Sequence, residues 1–576
     1  MISQRKRFDR AFWVALALFF ATTTALQWAS RRQGFTRDEG YYFHAAELHA
    51  AYYEELFSRL ASGDGKALVD RKLVDRFFSY NYEHPPLLKT LFGLSWRFLH
   101  RCNCPKELGL HAVPWSKPHR TLGLLSNGGA MRLPSHLLAG ALVAAVFLLG
   151  LRLFGWAGAI SASVLAILTP RHVFHASLSC FDAPVTAMLC LTTWAYVRAQ
   201  QTRSLRFALL SGVLFGLALA TKHNAFFLPP LLVLHALWLR RDVLAEAGPR
   251  FSRFLRYVFQ PWALAMATIG PAVYLLVWPY LWFDPVGRFK TYVSFHLHHV
   301  HYNIEYLGQN FNRPPFPWHY VPVMTAATMP VTTLLLAIGG LFAWLFAARR
   351  VEIPPPADEH RAGERWLVLL SALVPMLVIM RPGTPIFGAE KHWLPAVPFL
   401  ALLAGAGVAC LVRSLFPATT ARRLWASTVV ILALAPSAAS VAVSHPYGLS
   451  HYNALFSGPV GAANAGMNRQ FWGYAVSGAM PFLNRALAPH TPIYFHDANG
   501  FMLQMSQLDG LLRRDLPDSG HDEAGIRASA AALVLHEKHF NKYEFWIWDA
   551  YGTTKPSFVL THLGVPLCTV YQRPPR

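Results

Sequence analysis

Residues 11–43 read AFWVALALFFATTTALQWASRRQGFTRDEGYYF, and this stretch decides the class of fold. Its first part, residues 11–29, is apolar and long enough to cross a membrane. Two adjacent carboxylates, Asp38 and Glu39, follow shortly after this segment. Carboxylates beside a membrane are costly unless water, cations or a substrate surround them. The stretch therefore predicts a membrane protein with a polar site just outside its first helix.

The composition of the whole chain supports this prediction. Of the 576 residues, 54% are apolar and 14% are charged, whereas a soluble protein of this size has about 25% charged residues. We therefore predict a polytopic α-helical membrane protein. The net charge of +22 would suit nucleic-acid binding. However, much of the Lys and Arg lies in short loops between apolar segments, where it sets membrane orientation, and we expect no nucleic-acid partner.

About eleven segments are apolar and long enough to be transmembrane helices, the usual requirement being about 20 residues. The first is preceded by basic residues and followed by no A-x-A cleavage pattern, so we expect an uncleaved anchor with a cytoplasmic N-terminus. Counting crossings from there places almost every Arg-rich short loop on the inner side. The predicted helices cover roughly residues 11–29, 133–153, 156–174, 178–198, 205–221, 224–240, 258–282, 320–348, 366–381, 393–412 and 424–443.

Two long regions lie on the outer side in this arrangement. The first is a loop, residues 30–132, in which His44–Leu60 and Leu87–Leu99 have amphipathic spacing and predict helices along the membrane interface. The second is the tail, residues 444–576, which predicts a small α/β domain beside a membrane domain of residues 1–443. In the tail, Phe501–Leu516 is helix-like, and β-like runs are Pro492–Phe495, Ala531–His536, Phe545–Asp549 and Val565–Tyr571.

A second acidic motif, YNYEHPPLLK at residues 80–89, lies in the same outer loop as Asp38 and Glu39. The Pro-Pro pair stiffens the chain and starts the following helix, which would hold Glu83 and His84 at the beginning of that helix. An arbitrary acidic dipeptide is usually a solvated pair. Here the flanking residues Tyr41 and Tyr42 and the second motif favour a functional site instead.

The two motifs resemble those of the family-39-type glycosyltransferases, which are the protein O-mannosyltransferases and their bacterial relatives, including lipid A aminoarabinose transferases. The similarity rests on Asp-Glu after the first membrane helix, followed by His-Pro-Pro-Leu and Lys89. Weaker motifs extend the similarity over roughly residues 8–443. In the last of them, KHWLP, relatives often have Arg-Tyr before the Leu-Pro. These motifs are MRLPS (131–135), FDAP (181–184), ATKHNA (220–225) and KHWLP (391–395).

The resemblance implies a GT-C fold and an enzyme that moves a sugar from a polyprenyl-phosphate donor to a protein, lipid or glycan acceptor at the outer face of the membrane. The family assigns the role of general base to the Asp that matches Asp38. A single inverting displacement suffices, without the carboxylate nucleophile of a retaining mechanism. A bacterial inner membrane, with the tail in the periplasm, is the simplest location.

The chemistry of such a donor suggests roles for the other motif residues. The lipid phosphate is the leaving group and gains negative charge, so it needs fixed cations, for which Arg132, Lys222 and Lys391 are candidates. Arg132 and Lys222 could instead be snorkelling at helix ends, and Asp182 could be a helix N-cap. Glu39 is the second catalytic candidate. The expected substrate-positioning residues are Glu83, His84, Lys89, Asp182, His223 and His299.

Two clusters contain potential metal ligands. His296, His298, His299 and His301 lie in an outer loop but lack a carboxylate at ligand spacing, so we expect them to border the donor site. A second group, His100, Cys102, Cys104, His111 and His119, could hold zinc. We expect no required metal, and a divalent metal stays an open alternative. A disulfide from Cys102 or Cys104 to Cys568 is also open, because an outer compartment is oxidising.

A secondary transporter or flippase for a lipid-linked sugar is the alternative function. It would explain many crossings and outer-side charges. It predicts paired polar residues in mid-membrane and broken helices in corresponding halves of the chain. The sequence has no such two-fold pattern, and its functional-looking charges lie at one face. We therefore favour the glycosyltransferase, while the sugar and the acceptor stay open.

Overall fold

The computed structural model describes residues 2–101, 121–241, 259–346, 359–386, 388–417 and 419–575. Up to residue 444 most of these residues are helical. In chain order the helices are α1 (Ile2–Ala29), α2 (Arg37–Ala61), α3 (Arg71–Phe78), α4 (Leu87–Leu99), α5 (Asn127–Phe154), α6 (Trp156–Ile167), α7 (Pro170–Ala176), α8 (Asp182–Thr202), α9 (Leu205–Leu219), α10 (Leu228–Trp238), α11 (Pro261–Leu276), α12 (Pro285–Leu297), α13 (Tyr320–Thr328), α14 (Val331–Phe346), α15 (Glu359–Ile379), α16 (Val397–Leu415) and α17 (Thr419–Ser444).

The chain is an integral membrane protein with several apolar helices. By length and composition, four helical stretches of the described residues can cross a membrane: those of α1, α5, α16 and α17. The bent pairs α6/α7 and α13/α14 raise this number to six, and α9 and α11 are shorter apolar helices. Every predicted segment contains helix, but the predicted number of eleven spans is not confirmed.

Two of the predicted continuous helices are broken. The predicted helix 156–174 bends by 68° between α6 and α7, and the predicted helix 320–348 bends by 118° between α13 and α14. Each break directly precedes a proline, Pro170 or Pro330, and the residue before it, Thr169 or Met329, has an extended backbone. Proline disfavours helical geometry in the preceding residue and cannot donate a backbone hydrogen bond, which explains both breaks.

The surfaces of the helices fit a membrane environment. In α17 only 6% of the apolar stretch Leu424–Ser444 is buried inside the protein. Large apolar side chains on α14, α15 and α17, such as Leu335, Leu377 and Leu432, are more than half exposed. Inside the bundle, α14 and α16 approach closely at Gly340 and Gly407, where an added Cβ would overlap the backbone of the other helix. Small residues at helix crossings are typical of membrane bundles.

The first outer loop contains the two predicted helices. The amphipathic segment His44–Leu60 lies within α2, and Leu87–Leu99 is α4. Ala45, Tyr52 and Leu56 of α2 are buried, as their spacing predicts. The loop therefore packs as ordered helices against the rest of the protein.

The tail combines short helices with a four-stranded sheet. Its helices are α18 (Gly458–Asn464), α19 (Val476–Ala486), α20 (Gly500–Leu508), α21 (Glu523–Ala528) and α22 (Asn541–Tyr551). A hairpin of β1 (Ile304–Tyr306) and β2 (Gln309–Phe311) lies earlier in the chain, before the tail. The sheet has the order β3-β4-β6-β5, with β3 and β4 parallel and the other neighbours antiparallel. Its strands are β3 (Ile493–Phe495), β4 (Ala531–Leu535), β5 (Phe558–His562) and β6 (Val565–Gln572).

Three elements of the tail differ from the prediction. The predicted strand Phe545–Asp549 lies inside helix α22. There Ile547 and Tyr551, four residues apart, are buried on one helix face in a cluster with Ala532 and Val534 of β4. The predicted helix Phe501–Leu516 ends at Leu508, because Gly510 follows in the left-handed conformation, with φ of 73°. Strand β5 lies at the sheet edge and was not predicted.

The tail packs directly on the first outer loop. Phe35, Tyr42 and Phe43 from the loop belong to one buried apolar cluster with Tyr474 and Phe495 from the tail. Hydrogen bonds join the same regions: the backbone N–H of Arg37 donates to the carbonyl of Trp472 at 2.8 Å, and the Asn499 amide donates to the Arg37 carbonyl at 2.6 Å. The start of α2 is thereby held between the membrane helices and the tail.

Candidate active site

A cavity of about 1390 Å³ lies where the first outer loop, the helix ends and the tail meet. Eight of the eleven residues that the sequence nominated line it, although they come from six separate parts of the chain. The other three, Glu39, Lys89 and Arg132, do not line it. The eight lining residues are Asp38, Glu83, His84, Asp182, Lys222, His223, His299 and Lys391.

Asp38 and Glu39 lie in the first turn of α2 but have different surroundings. Thr36 is the N-cap of the helix and forms a capping box with Glu39, which starts the helix at this point. The Asp38 side chain is 23% exposed and lines the cavity, with its Oδ1 3.8 Å from Nε of Arg37. The Glu39 side chain is fully buried. One helical turn thus presents one carboxylate to the cavity and buries the other.

Glu39 pairs with Arg132 in the protein interior. The Arg132 guanidinium donates to both carboxylate oxygens, with Nε–Oε1 at 2.8 Å and Nη2–Oε2 at 2.7 Å. Its remaining N–H groups donate to the carbonyls of Ser30, Gln33 and Gly34. Such a planar, bidentate pair fixes both partners in one geometry. The pair holds the turn between α1 and α2 against the start of α5.

This geometry differs from the expected roles of both residues. All five N–H groups of Arg132 are engaged inside the protein, and its side chain is 2% exposed, so it has no donor to offer a phosphate in the cavity. Glu39 has no access to the cavity either. We assign both residues to holding Asp38 in place, rather than to phosphate binding or catalysis.

Lys222 and Asp182 form an ion pair at the cavity wall. Nζ of Lys222 lies 2.5 Å from Oδ1 of Asp182, and both side chains line the cavity. Asp182 is the first residue of α8, and no side-chain cap is formed there, so it is not the N-cap that its position could have indicated. The pair places a cation at a fixed point where the ends of α8 and α9 meet.

Lys391 is the second cation of this wall, and it lies in the short turn before α16. Its Nζ is 4.3 Å from the centre of the Trp472 ring. Burial lowers the pKa of Lys391, and the nearby carboxylates of Asp38 and Asp182 oppose that shift. Behind it, the neighbouring Glu390 pairs with buried Arg171 at 2.8 Å, which anchors the turn to α7.

Lys89 acts beneath the cavity surface. It is buried, and its Nζ donates to the carbonyls of Asn81 and His84 at 2.6 and 2.9 Å. Burial lowers its pKa to about 7. These bonds fasten the turn that carries Glu83, whose Oε1 accepts from the Asn81 amide at 2.7 Å. Lys89 therefore positions the second acidic motif from below and does not itself reach the cavity.

Histidines form a neutral cluster beside Lys222. The rings of His223 and His296 are 4.2 Å apart, and His84 and His296 are 6.1 Å apart. Burial and the positive charge of Lys222 lower the pKa of His84 and His223 well below the usual value, and burial lowers that of His296 to about 4. Neutral imidazoles can donate and accept hydrogen bonds without adding charge.

Metal binding has little support in the described residues. They contain no group of three or more His, Cys, Asp or Glu that could hold a metal ion. The expected cluster at His296–His301 instead has individual partners, such as the Glu83 carbonyl for His296 and the Val300 carbonyl for His299. Cys102, Cys104, His111 and His119 lie outside the described residues. Cys568 is a buried free thiol.

The tail contributes a wall of the cavity that sequence reasoning missed. The chain positions just after β3 and β4 reach the cavity, because the carboxyl ends of parallel strands meet at one edge of a sheet. A possible signal was the placement of polar residues directly after the two predicted strands. We call this set the tail wall: His496, Asp497, Glu537, His539, Phe540 and Tyr543.

A narrow apolar groove opens from the opposite part of the cavity. It runs between α8, α10, α15 and α16 and is lined by side chains such as Leu189, Leu231 and Phe399. It shares Asn224 and His392 with the cavity, next to Lys222 and Lys391 respectively. A polar cavity with fixed cations thus adjoins a small apolar groove between membrane helices.

Comparison with known proteins supports the resemblance drawn from the sequence. Residues 123–279 match the family model described as dolichyl-phosphate-mannose-protein mannosyltransferase. This segment contains α5 to α11 and therefore Arg132, Asp182, Lys222 and His223. The comparison with curated proteins gives no match.

Several solved structures are similar over most of the chain. ArnT from Cupriavidus metallidurans bound to undecaprenyl phosphate is 15% identical over 96% of this chain and 97% of that chain, with a TM-score of 0.46. Its apo state is 15% identical over 98% of both chains, with a TM-score of 0.48. The apo oligosaccharyltransferase of Archaeoglobus fulgidus is 10% identical over 93% of this chain and 72% of that chain, with a TM-score of 0.44.

The family match contains three of the weaker motifs, whereas Asp38-Glu39, the His-Pro-Pro-Leu motif at 84–87 and the KHWLP motif at 391–395 lie outside it. Two of the weaker motifs, FDAP at 181–184 and ATKHNA at 220–225, fall within it and supply residues to the cavity. The family model therefore confirms the resemblance to the family-39-type glycosyltransferases.

Proposed function

We propose that this protein transfers a sugar from a polyprenyl-phosphate donor to an acceptor hydroxyl, with inversion and with Asp38 as general base. The observation that carries the proposal is the position of Asp38. Its carboxylate shares one cavity with two fixed cations, Lys222 and Lys391, and that cavity adjoins an apolar groove between membrane helices. A lipid-linked sugar phosphate requires this combination of a charged head site and an apolar chain site.

The donor lies on the membrane side of the cavity in this proposal. The apolar groove, of about 60 Å³, takes the start of the isoprenoid chain. The phosphate lies near Lys222 and Lys391, which stabilise the charge that grows as the phosphate leaves. Asp182 holds Lys222 in position. His84, His223 and His299 offer hydrogen bonds to the phosphate or the sugar. The name of the matching family, which includes dolichyl phosphate mannose, supports a polyprenyl-phosphate donor.

The transfer itself is a single displacement. The acceptor oxygen attacks the anomeric carbon while the bond from that carbon to the phosphate oxygen breaks, and the polyprenyl phosphate departs. Asp38 accepts the proton of the acceptor hydroxyl, a contribution that is typically worth about 10²- to 10⁴-fold in rate. Glu83 lines the same cavity and positions the acceptor or the sugar. No second carboxylate is needed as a nucleophile.

The cavity belongs to the outer side of the membrane in this proposal, in a bacterial inner membrane with the tail in the periplasm. The ends of α5 and α8 that lie away from the cavity meet the start of α15, where Glu364 accepts from Arg152 at 2.8 Å and from Gln201 at 2.7 Å. The opposite ends of α8 and α15 line the cavity. Arg152 lies in a predicted inner loop, so this arrangement supports the predicted sidedness.

The test uses the full chain in liposomes with a panel of radiolabelled polyprenyl-phosphate sugars and envelope extract. We expect turnover of one donor, and loss of at least about 10²-fold with Asp38→Asn. The matched control is Asp549→Asn, which alters a 70% exposed carboxylate on α22, outside the cavity. Both variants are compared with the unchanged chain at equal folded protein.

Each outcome has a clear meaning. Equal turnover in Asp38→Asn and the unchanged chain would remove Asp38 as the base. Absence of turnover with every donor, combined with movement of a labelled lipid between leaflets, would replace the transferase by the flippase alternative. Loss of turnover in Asp549→Asn as well would show that the assay reports general damage.

A further inference from the structure

We infer that the tail wall is a saccharide-binding subsite, and that the acceptor is therefore a glycan or the glycan part of a larger molecule. This inference rests on the proposed function, because it treats the cavity as the place where donor and acceptor meet. Its evidence is separate and comes from the tail alone: where the residues lie in the sheet, which of their polar atoms lack partners, and which aromatic rings surround them.

The tail wall occupies the ligand-binding edge of an α/β sheet. His496 and Asp497 directly follow β3, and Glu537 follows β4 at a distance of two residues. Because β3 and β4 are parallel neighbours, their carboxyl ends open at the same edge. Ligands of open α/β sheets bind at this edge, outside the carboxyl ends of the strands. Here the edge faces the cavity that contains Asp38.

A buried and unsatisfied side chain points to a ligand at this edge. His496 is 5% exposed and lines the cavity. Among the described residues, none lies within hydrogen-bond distance of its Nδ1. Its ring lies against Phe540 and Tyr543, with ring centres 4.1 and 4.5 Å away. A buried polar atom without a partner is costly, and a ligand hydroxyl would satisfy it.

The two carboxyl groups of the wall match hydroxyls rather than a strongly charged ligand. Burial and the neighbouring acids Asp497 and Glu305 raise the pKa of Glu537 well above its usual value, and burial also raises that of Asp497. A protonated Glu537 donates as well as accepts, and the amide of Gln470 already donates to it at 3.1 Å. Mixed donors and acceptors beside aromatic faces suit the hydroxyls and the apolar C–H faces of a sugar ring.

Arg37 links the tail wall to the proposed base. Its guanidinium forms a short ion pair with Asp497 and also lies 3.8 Å from Asp38. A ligand on the tail wall is therefore adjacent to Asp38. No tail residue lines the apolar groove within the described chain. The two sides of the cavity thus serve two ligands: the donor lipid at the groove and the second ligand at the tail.

The tail sheet offers no free strand edge to the cavity, which argues for a glycan and against a peptide. A bound extended peptide would commonly add to a sheet edge through its backbone. The edge of β3 is already occupied, because Ile493 pairs with residues 517–519 through N–H donation to Pro517 and acceptance from Ser519. The other edge strand, β5, contributes no residue to the cavity. Recognition at the tail wall therefore depends on side chains.

The test measures binding without any donor, so that its failure is distinct from failure of the transferase. The full chain in lipid nanodiscs is examined by saturation-transfer NMR with methyl α-mannoside, methyl β-glucoside and diacetylchitobiose, and with a Ser- and Thr-containing octapeptide. We expect saturation transfer to at least one saccharide. Two variants should each weaken the affinity for that saccharide about tenfold: His496→Phe, which keeps an aromatic ring but removes both nitrogens, and Asp497→Asn.

A matched pair of aromatic variants controls for folding. Tyr543→Ala removes a ring of the tail wall, whereas Phe545→Ala removes a 62% exposed ring of the same helix that does not line the cavity. Loss of the saccharide signal in the first variant alone supports the subsite. No saccharide signal above empty nanodiscs, a signal from the peptide instead, or equal loss in both aromatic variants would overturn it. Saccharide binding without donor turnover would retain the subsite and overturn the transferase.

Discussion

The wall of the cavity built at the ends of the membrane helices contains two lysines, whereas the tail wall contains no Lys or Arg and combines two carboxyl groups with histidine and aromatic rings. On the membrane side, Lys222 and Lys391 lie next to an apolar groove. On the tail side, His496 and Asp497 lie at the carboxyl edge of a sheet. This difference is the basis of our proposal of two ligands of different chemistry, an anionic lipid head on one side and a hydroxyl-rich ligand on the other.

Asp38 lies between these walls, and a buried layer fixes its position. Behind the membrane wall, two Arg–Glu pairs, Arg132–Glu39 and Arg171–Glu390, are almost fully buried. Neither pair lends a charge to the cavity surface. The charges that a ligand can meet and the charges that hold the structure are therefore different residues, even where they are neighbours in the chain, as Asp38 and Glu39 are.

The largest expected effect comes from breaking the Glu39–Arg132 pair. Arg132→Met leaves the Glu39 carboxylate buried without its partner, and removal of one member of a buried pair typically costs about 3–5 kcal/mol. We expect loss of folded protein, measured by thermal unfolding and size-exclusion chromatography in detergent. Asp38→Asn is the matched neighbour and should fold as the unchanged chain does. A folded Arg132→Met protein with weakened donor affinity would instead return Arg132 to the phosphate site.

The two walls also differ in how well the sequence predicted them. Motifs such as FDAP and ATKHNA concentrate several functional residues in a few positions at helix ends, so Asp182 and Lys222 could be nominated directly. The tail wall joins His496 to Glu537 only through the pairing of β3 with β4. The sequence also did not predict which carboxylate is buried. Nothing in the dipeptide Asp38-Glu39 or in the MRLPS motif distinguishes the carboxylate that lines the cavity from the one that pairs with Arg132.

Part of the fold was predictable for the same reason. Apolar length and amphipathic spacing are local, so the ends of α1, α5 and α2 were predicted to within one residue, whereas each helix starts six to nine residues earlier than predicted. The bend before Pro330 also has a local cause, the proline itself, which the predicted continuous helix 320–348 did not take into account. The helix at Phe545–Asp549 instead depends on competition between local preference and packing. In the second case the burial of Ile547 and Tyr551 on one face outweighed a composition rich in aromatic residues.

The next effect sharpens the assignment of the membrane wall to the donor. Lys222→Met removes a cation that would bind the phosphate, and a hydrogen bond to a charged group is worth about 1.5–3 kcal/mol. We expect the donor KM to rise about 10- to 100-fold, measured with the donor identified in the liposome assay. Lys72→Met, an exposed lysine of α3 outside the cavity, is the control. A rise in the acceptor KM alone would place the phosphate elsewhere.

A smaller effect is expected where the walls meet. Arg37→Gln removes the ion pair with Asp497 and the guanidinium beside Asp38, while the N-terminal backbone contacts of α2 remain. We expect about a tenfold fall in kcat/KM for the acceptor, the scale of one charge-assisted hydrogen bond, with the donor KM changed less. Steady-state kinetics with each substrate varied in turn separates the two. Equal effects on the KM of both substrates would mean that Arg37 does not act mainly on the acceptor side of the cavity.

The smallest expected effect concerns pH and tests whether the membrane wall depends on neutral histidines. Burial holds the pKa of His296 at about 4, below its usual 6.5, and its neighbours Lys222, His84 and His223 add no negative charge. The unfolded chain protonates His296 more readily than the folded chain does. The contribution of His296 to stability is therefore fully present above pH 6.5 and is lost as pH falls towards about 4. We expect the unfolding temperature in detergent to fall by a few degrees over that interval, and His296→Gln, which cannot titrate, to reduce the fall. A decline of the same size in His296→Gln would assign the acid sensitivity to other groups, of which His84 and His223, whose pKa values are also lowered, are the next to replace.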